Sequence, residues 1–403
     1  MSETSARSGA GCGDVVASHY NAVPEKGLGA RTESRIFYLR NFNNWIKSQL
    51  ISDVMHRIGR DWPVDEPRKS LAVLDLACGK GGDILKWKRA DSDQPSCREK
   101  QLKITKVVFS DIAAVSLSQC ESRYRDTKER EKQQHQRNRP GDPQQEMFSA
   151  EFIVADASED DLASKLQDAS QQFDVCSQQF SLHYGFESES KAKTMLRNAC
   201  ARLRPGGYFI GTVPHSDRIV TLLRQHGGRF TNEVCRIEWC NDSIKKTPTA
   251  QPALFGEKYD FELDEQVNCP EFLLYFPLLE KLLSDLDMEL VWCKSFDEIL
   301  NELGGDGKEG RALLGRMQAL EPYPADKDID LSAISKSAEY DQAEKKWREI
   351  REDEKLDGAS SERRHNKLGV LSHSEWQIVC LYVAFVFRRK IAPGETSSNP
   401  VDV

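Results

Sequence analysis

The chain has 403 residues, 39% hydrophobic and 30% charged, with a formal net charge of −8. That length allows one large domain with insertions, or two domains. The acidic balance excludes a protein that coats nucleic acid by bulk charge, so any nucleic-acid ligand must meet a local basic patch. Eleven cysteines are scattered from Cys12 to Cys380, odd in number and without a C-x-x-C pair. A zinc site or a disulfide framework is not expected, and a reduced intracellular compartment is. Met1–Gly13 has no apolar signal core. The longest apolar run, Trp376–Phe387, is too short to span a membrane and reads as a buried strand.

Residues 1–17 read as a disordered tail. Ser34–Ile58 reads as a long helix, with Ile36, Leu39, Ile46 and Leu50 at core-facing spacing. Asn43 and Lys47, four apart, share a face beside Asn44. Leu71–Leu76 is a first strand. The glycine turn Cys78-Gly79-Lys80-Gly81-Gly82-Asp83 follows, then a helix over Gly81–Arg89. Such a turn admits a ligand close to the backbone and exposes helix N–H groups to it; by itself it is also compatible with a plain connection. Asp91–Lys103 reads as an exposed loop. Lys106–Phe109 is a second strand ending at Asp111, placed to accept from ribose hydroxyls or to cap the next helix.

That helix is predicted over Val115–Arg130, running into a flexible insertion rich in Gln, Arg and Pro at Glu131–Gln145. Strands follow at Glu151–Ala155, ending at Asp156, and at Phe173–Ser177, ending near Gln179. A helix over Glu187–Leu203 is stopped by Pro205-Gly206-Gly207, and Tyr208–Val213 is a fifth strand. The alternation predicts a mostly parallel sheet covered on both faces, with ligands outside the carboxyl ends of the strands, where Gly79, Asp111, Asp156 and Gln179 fall. Beyond Val213 the pattern weakens. Arg229–Trp239 and Lys258–Leu263 read as short strands, Glu271–Leu286 as a helix, and Glu289–Cys293 and Trp376–Phe387 as closing strands. Asn301–Asn366 reads as charged helical excursions and loops.

The turn lacks G-x-G-x-x-G and the G-x-x-x-x-G-K-[ST] phosphate loop, so a phosphate-bearing dinucleotide is not the best fit. The turn, the acids after the second and third strands, and L-x-P-G-G before the fifth resemble class I S-adenosylmethionine methyltransferases. Longer strings narrow the resemblance. They are His19-Tyr20-Asn21, Ser34–Lys47, Cys78–Lys86 (CGKGGDILK), Phe180–Ser188 (FSLHYGFES), Arg197–Thr212, Pro270–Leu279 (PEFLLYFPLL), Met317–Ala325 and Ser374-Glu375-Trp376. These resemble the eukaryotic mRNA cap guanine-N7 methyltransferases, from about residue 18 to about residue 388.

The resemblance implies a Rossmann-like α/β fold: a mostly parallel seven-stranded sheet, helices on both faces and a cap-binding insertion. It implies one domain over 18–390 between a tail at 1–17 and a tail at 391–403, with flexible insertions at about 91–103, 129–145 and 301–310. It implies that Lys47, Ala77, Gly79, Asp111, Asp156, Gln179 and Tyr184 hold S-adenosylmethionine, which leaves as S-adenosylhomocysteine. It implies that Asn43, Asn44, Lys80, Lys86, Arg123, His183, Glu271 and Tyr382 face the cap, with Glu271, His183 and Tyr382 at the reaction. Ala77 stands where the family commonly has glycine, and a negative φ there would leave its backbone contact intact. Without the resemblance, Glu271 reads as a helix start, His183 as a core histidine and Tyr382 as strand core.

The implied partners are the GpppN end of capped pre-mRNA, RNA polymerase II and separate proteins for the earlier capping steps. A monomer, a nuclear location, no metal and no membrane complete the expectation. A methyltransferase for another substrate, and a cap-binding module without catalysis, are the alternatives.

Overall fold

The computed structural model describes residues 12–22, 32–62, 70–93, 97, 102–138, 147–247, 249–264, 266–305, 307–324, 337–356 and 368–391. Its centre is a seven-stranded sheet. β1 (Ser70–Leu76), β2 (Lys103–Asp111), β3 (Ser149–Val154), β4 (Phe173–Gln179) and β5 (Leu203–Pro214) run parallel. Next to β5 the last strand, Tyr382–Arg389, enters antiparallel, and Met288–Ser295 closes that edge. In space the order is β3-β2-β1-β4-β5, then the last strand, then Met288–Ser295.

β1 is buried at every residue but its first, as a parallel strand covered on both faces must be. Its side chains alternate between two cores. Val73 points with Val107 and Phe109 into one core, under α2 (Phe37–Asp61), α3 (Ile84–Asp93) and α4 (Ala114–Asn138). Leu74, Leu76 and Val108 point into the other, under α5 (Glu189–Cys200) and the helix Phe276–Ser284. The chain winds outward from β1 to β3, then returns to β4 on the other side. That reversal opens a crevice at the carboxyl ends of β1 and β4.

A second, four-stranded antiparallel sheet follows β5: β6 (Arg229–Thr231), β7 (Cys235–Trp239), β8 (Lys258–Leu263) and β9 (Val267–Phe272). β8 alternates exposed and buried residues along its whole length, one face wet and one packed. This sheet is inserted after β5, and β9 brings Glu271 to the crevice.

Several sequence readings are corrected. Residues 12–17 belong to a helix, α1 (Cys12–Ala22), rather than to a tail. The helix read as ending at Arg130 continues to Asn138. Cys97, in the segment read as an exposed loop, is fully buried and bonds through Sγ to the Met55 carbonyl. Arg229–Trp239 is a hairpin of two strands. Glu271 lies on a strand, and the helix read from it begins only at Phe276, after Leu273–Tyr275. Trp376 lies in a helix, α12 (His373–Val379), and the closing strand starts at Tyr382. In the last two cases an apolar run crosses an element boundary that periodicity does not mark. Residues 1–11, 139–146, 306 and 392–403 lie outside the described residues, as do most of 94–101.

Candidate active site

The turn after β1 is built on left-handed backbone. Ala77 has φ +57°, Gly79 +53° and Gly81 +73°. The condition set for Ala77, a negative φ, is not met, and its backbone is strained. At Gly79 an added Cβ would meet nothing within 4 Å. At Gly81 it would lie 2.6 Å from Ile84 Cδ1 and 2.7 Å from Cys120 Sγ, so glycine there lets α3 and α4 pack.

Asp111, at the end of β2, fixes this turn. Its Oδ2 accepts from the Gly79 N–H at 2.7 Å and its Oδ1 from the Ala113 N–H at 2.8 Å. Burial pushes its carboxyl above the usual range, and these two bonds pull back toward the ionised form. The helix-capping role is seen directly, and each carboxylate oxygen keeps a second lone pair. Asp156 Oδ1 accepts from the Ser158 N–H and hydroxyl at 2.8 and 2.7 Å. Its Oδ2 faces the start of α1, where a Cβ on Gly13 would lie 2.8 Å away. Gln179 donates to Ser177 Oγ at 3.0 Å, while its buried Oε1 has no hydrogen-bond partner among the described residues.

One carboxylate joins α2 to α3 beside the turn. Asp83 Oδ1 lies 2.8 Å from Lys47 Nζ and 2.7 Å from Lys86 Nζ, and its side chain is 8% exposed. Although burial opposes ionisation, the two ammonium groups hold the Asp83 carboxyl well below the usual range. Lys86 also donates to Asn44 Oδ1 at 2.9 Å. Burial lowers the Lys86 ammonium and the charge of Asp83 partly restores it. Beneath them the buried Asp75 accepts from the Trp87 indole at 3.0 Å. Burial, and then the charge of Asp83, push Asp75 up to about 7.

Where β9 reaches the crevice, His183 is 1% exposed and Glu271 3%. Glu271 Oε2 accepts from the Tyr259 hydroxyl at 2.8 Å. Its Oε1 is 3.3 Å from His183 Nε2, an approach that does not close into an aligned hydrogen bond. Both ring nitrogens of His183, and Oδ1 of Asn43, are buried without hydrogen-bond partners among the described residues. Tyr382 stacks on Phe296, with centroids 5.7 Å apart, and meets Phe180 edge-on at 5.2 Å. Phe180 itself sits at φ +58°, held by its N–H to Thr212. Burial raises the phenols of Tyr184, Tyr259 and Tyr382 well above their ordinary value. Lys80 is half-buried in the turn and Arg123 half-buried on α4.

Helix α1 bridges the start of α4 and β9. Asn21 Oδ1 accepts from the Val115 N–H at 3.0 Å, at the start of α4. The Tyr20 hydroxyl is 3.4 Å from that of Tyr184, which in turn lies 3.3 Å from Cys269 Sγ. His19 Nε2 accepts from the Asn268 N–H on β9 at 3.4 Å. Sequence reasoning missed Tyr20, Tyr259 and Asp83 as members of the site. His19-Tyr20-Asn21 and Asp83 stood inside the strings that carried the resemblance. Tyr259 had only the alternation of β8 to announce it.

The parallel sheet with its antiparallel last strand inserted beside β5, the glycine turn after β1 and the acid after β2 define a class I S-adenosylmethionine-dependent methyltransferase. Residues 3–390 match the family described as mRNA (guanine-N(7))-methyltransferase domain. The chain is 42% identical over 385 residues to the mRNA cap guanine-N(7) methyltransferase of Caenorhabditis elegans, covering 95% of this chain and 89% of that one. It is 37% identical over 405 residues to that of Drosophila melanogaster, covering 99% and 82%. It therefore belongs to the mRNA cap guanine-N7 methyltransferase family, whose reaction moves the methyl of S-adenosylmethionine to N7 of the cap guanosine. Among solved structures, a Clostridium acetobutylicum S-adenosylmethionine-dependent methyltransferase aligns with a TM-score of 0.37 at 12% identity, over 71% of this chain and 91% of that one, and adds nothing to the assignment.

The site fits the cofactor on its own geometry. There is open space over Gly79, an unsatisfied Gln179 Oε1, and carboxylates with lone pairs to spare at Asp111 and Asp156.

Proposed function

We propose that the crevice divides into a donor half and an acceptor half that meet beside Tyr184. Bound S-adenosylmethionine supplies an electrophilic methyl on a sulfonium. In the donor half, Asp111 serves the ribose, Asp156 and Gln179 the adenine side, and Lys47 with the Ala77–Gly79 backbone the methionyl end. In the acceptor half, Lys80, Lys86 and Arg123 meet the triphosphate, while Asn43 and Asn44 position the nucleoside. Glu271 accepts from the guanine N1–H and 2-amino group, His183 donates toward O6, and Tyr382 walls the ring.

Guanine N7 carries a lone pair and no proton, so the chain needs no general base to activate it. Its residues hold the two partners in line, and orientation of this kind supplies roughly 7–11 kcal/mol. Positive charge moves onto the guanine during transfer, and Glu271 is placed to favour it. The carrying observation is His183 beside Glu271, both buried, with the histidine nitrogens unsatisfied and Tyr259 fixing the carboxylate. Glu271→Gln is expected to lower kcat on GpppA at least tenfold, with S-adenosylmethionine affinity unchanged by calorimetry. Full activity in that variant removes Glu271 from the mechanism. Cap binding without methyl transfer by the unaltered protein would favour a binding module. From the substrate class we infer a nuclear enzyme on capped pre-mRNA, acting after separate capping enzymes and near RNA polymerase II, and we propose a monomer.

A further inference from the structure

Helix α4 extends as a regular helix through Glu129–Asn138, where a flexible insertion was expected. It starts at the crevice rim, after Asp111, and descends the sheet face that also carries α3. Arg123, Arg130 and Arg137 are spaced seven residues apart along it. Two helical turns take about seven residues, so the three lie on one face, with about 10 Å of rise between neighbours. Thr127 and Gln134 lie on the same face, and Asp126, three after Arg123 and four before Arg130, is its one acid.

The other acids of the helix have partners. Glu121 pairs with Arg125, Glu129 accepts from Gln133, and Glu131 pairs with Lys88 of α3. Arg130 and Arg137 are exposed and make no hydrogen bond or ion pair among the described residues. In a chain of net charge −8, Glu121–Asn138 holds six Lys/Arg against four Asp/Glu.

We propose that this face of α4 is a track for the RNA strand that follows the cap. The triphosphate meets Lys86 and Arg123, and the next phosphates run down the helix to Arg130 and Arg137. A polyanion in single-stranded form suits a row of guanidinium groups at regular spacing, set among small and amide side chains. The track binds backbone and carries no sequence preference. It rests on the capped-RNA reading of the crevice and adds a surface outside it.

The test compares the unaltered protein with the Arg130→Ala/Arg137→Ala variant on two substrates, the GpppA dinucleotide and a capped RNA of about 20 nucleotides. The expected result is a severalfold higher KM for the capped RNA in the variant, with kcat unchanged and GpppA kinetics unchanged. The slope of log K against log salt for the RNA should flatten by about 1.4, some 0.7 for each lost phosphate contact. Arg130→Lys/Arg137→Lys should restore most of the RNA affinity. Equal KM for the RNA in variant and unaltered protein overturns the track, as does an equal loss on RNA and dinucleotide. Failure of the unaltered protein to methylate GpppA would instead overturn the reading of the crevice.

Discussion

Ala77 sits at φ +57° in a turn whose other left-handed positions, Gly79 and Gly81, are glycines. A left-handed alanine costs about 1–2 kcal/mol, because its Cβ crowds the following carbonyl. Glycine there would remove that strain and add some freedom to the unfolded chain, which offsets part of the gain. Ala77→Gly is therefore expected to stabilise the fold by about 0.5–1 kcal/mol, read by urea unfolding. A loss of stability would show that the methyl group packs usefully. At this scale the sequence showed which residues to group, because Lys47 and Glu271 stand in long strings and Asp111 closes a predicted strand. It did not show backbone sign at Ala77, nor that Asp83 is shared between Lys47 and Lys86, since a carboxylate's partners are set by distance in space.

Helix α2 carries Asn43, Asn44 and Lys47, and its own N-cap, Ile36, offers no side-chain bond. The cap comes from far along the chain. Glu375 Oε1 accepts from the Leu39 N–H at 3.1 Å, while its Oε2 accepts from Ser372 N and Oγ at the start of α12. One buried carboxylate thus starts two helices, the second leading into the strand that bears Tyr382. Glu375→Ala should destabilise the fold by about 1–2 kcal/mol. It should also raise the KM for GpppA, because the elements on either side of the acceptor lose their common anchor. Unchanged stability would refute the double cap. Ser372–Glu375 fits the S-x-x-E capping pattern, which the sequence reading passed over in taking Trp376–Phe387 as a strand, and nothing local announces its reach to Leu39. The parallel strands were legible through their apolar runs and terminal acids. α1 and the end of α4 were not, because polar composition there outweighed helical spacing.

At the scale of the whole molecule, Asp75 is a buried acid whose titration reaches the global stability. Its carboxyl stands at about 7 when folded, against about 3.9 in an unfolded chain. The folded state therefore binds more protons between those values. By linkage, this group's contribution is full below about pH 4 and is lost as pH rises toward 7. Asp83 acts oppositely: its depressed carboxyl stabilises above the unfolded value and is lost only in stronger acid. Asp75→Asn keeps an acceptor for the Trp87 indole and removes the titration. Its unfolding free energy, followed by denaturant between about pH 4 and 7, should fall less with rising pH than that of the unaltered protein. An identical pH slope in the two proteins would place the titration elsewhere.

By itself the sequence determined the strand-and-helix alternation, the glycine turn and the rim acids, and its strings carried the family resemblance. These are local signals, written in periodicity, small residues and runs of identity. Only the tertiary structure decided that β9 sets Glu271 beside His183, that Tyr259 holds Glu271 from the neighbouring strand, and that α1 closes over Tyr184. Those contacts join residues separated by up to 164 positions. They depend on how an antiparallel insertion packs against the sheet, which no local pattern encodes.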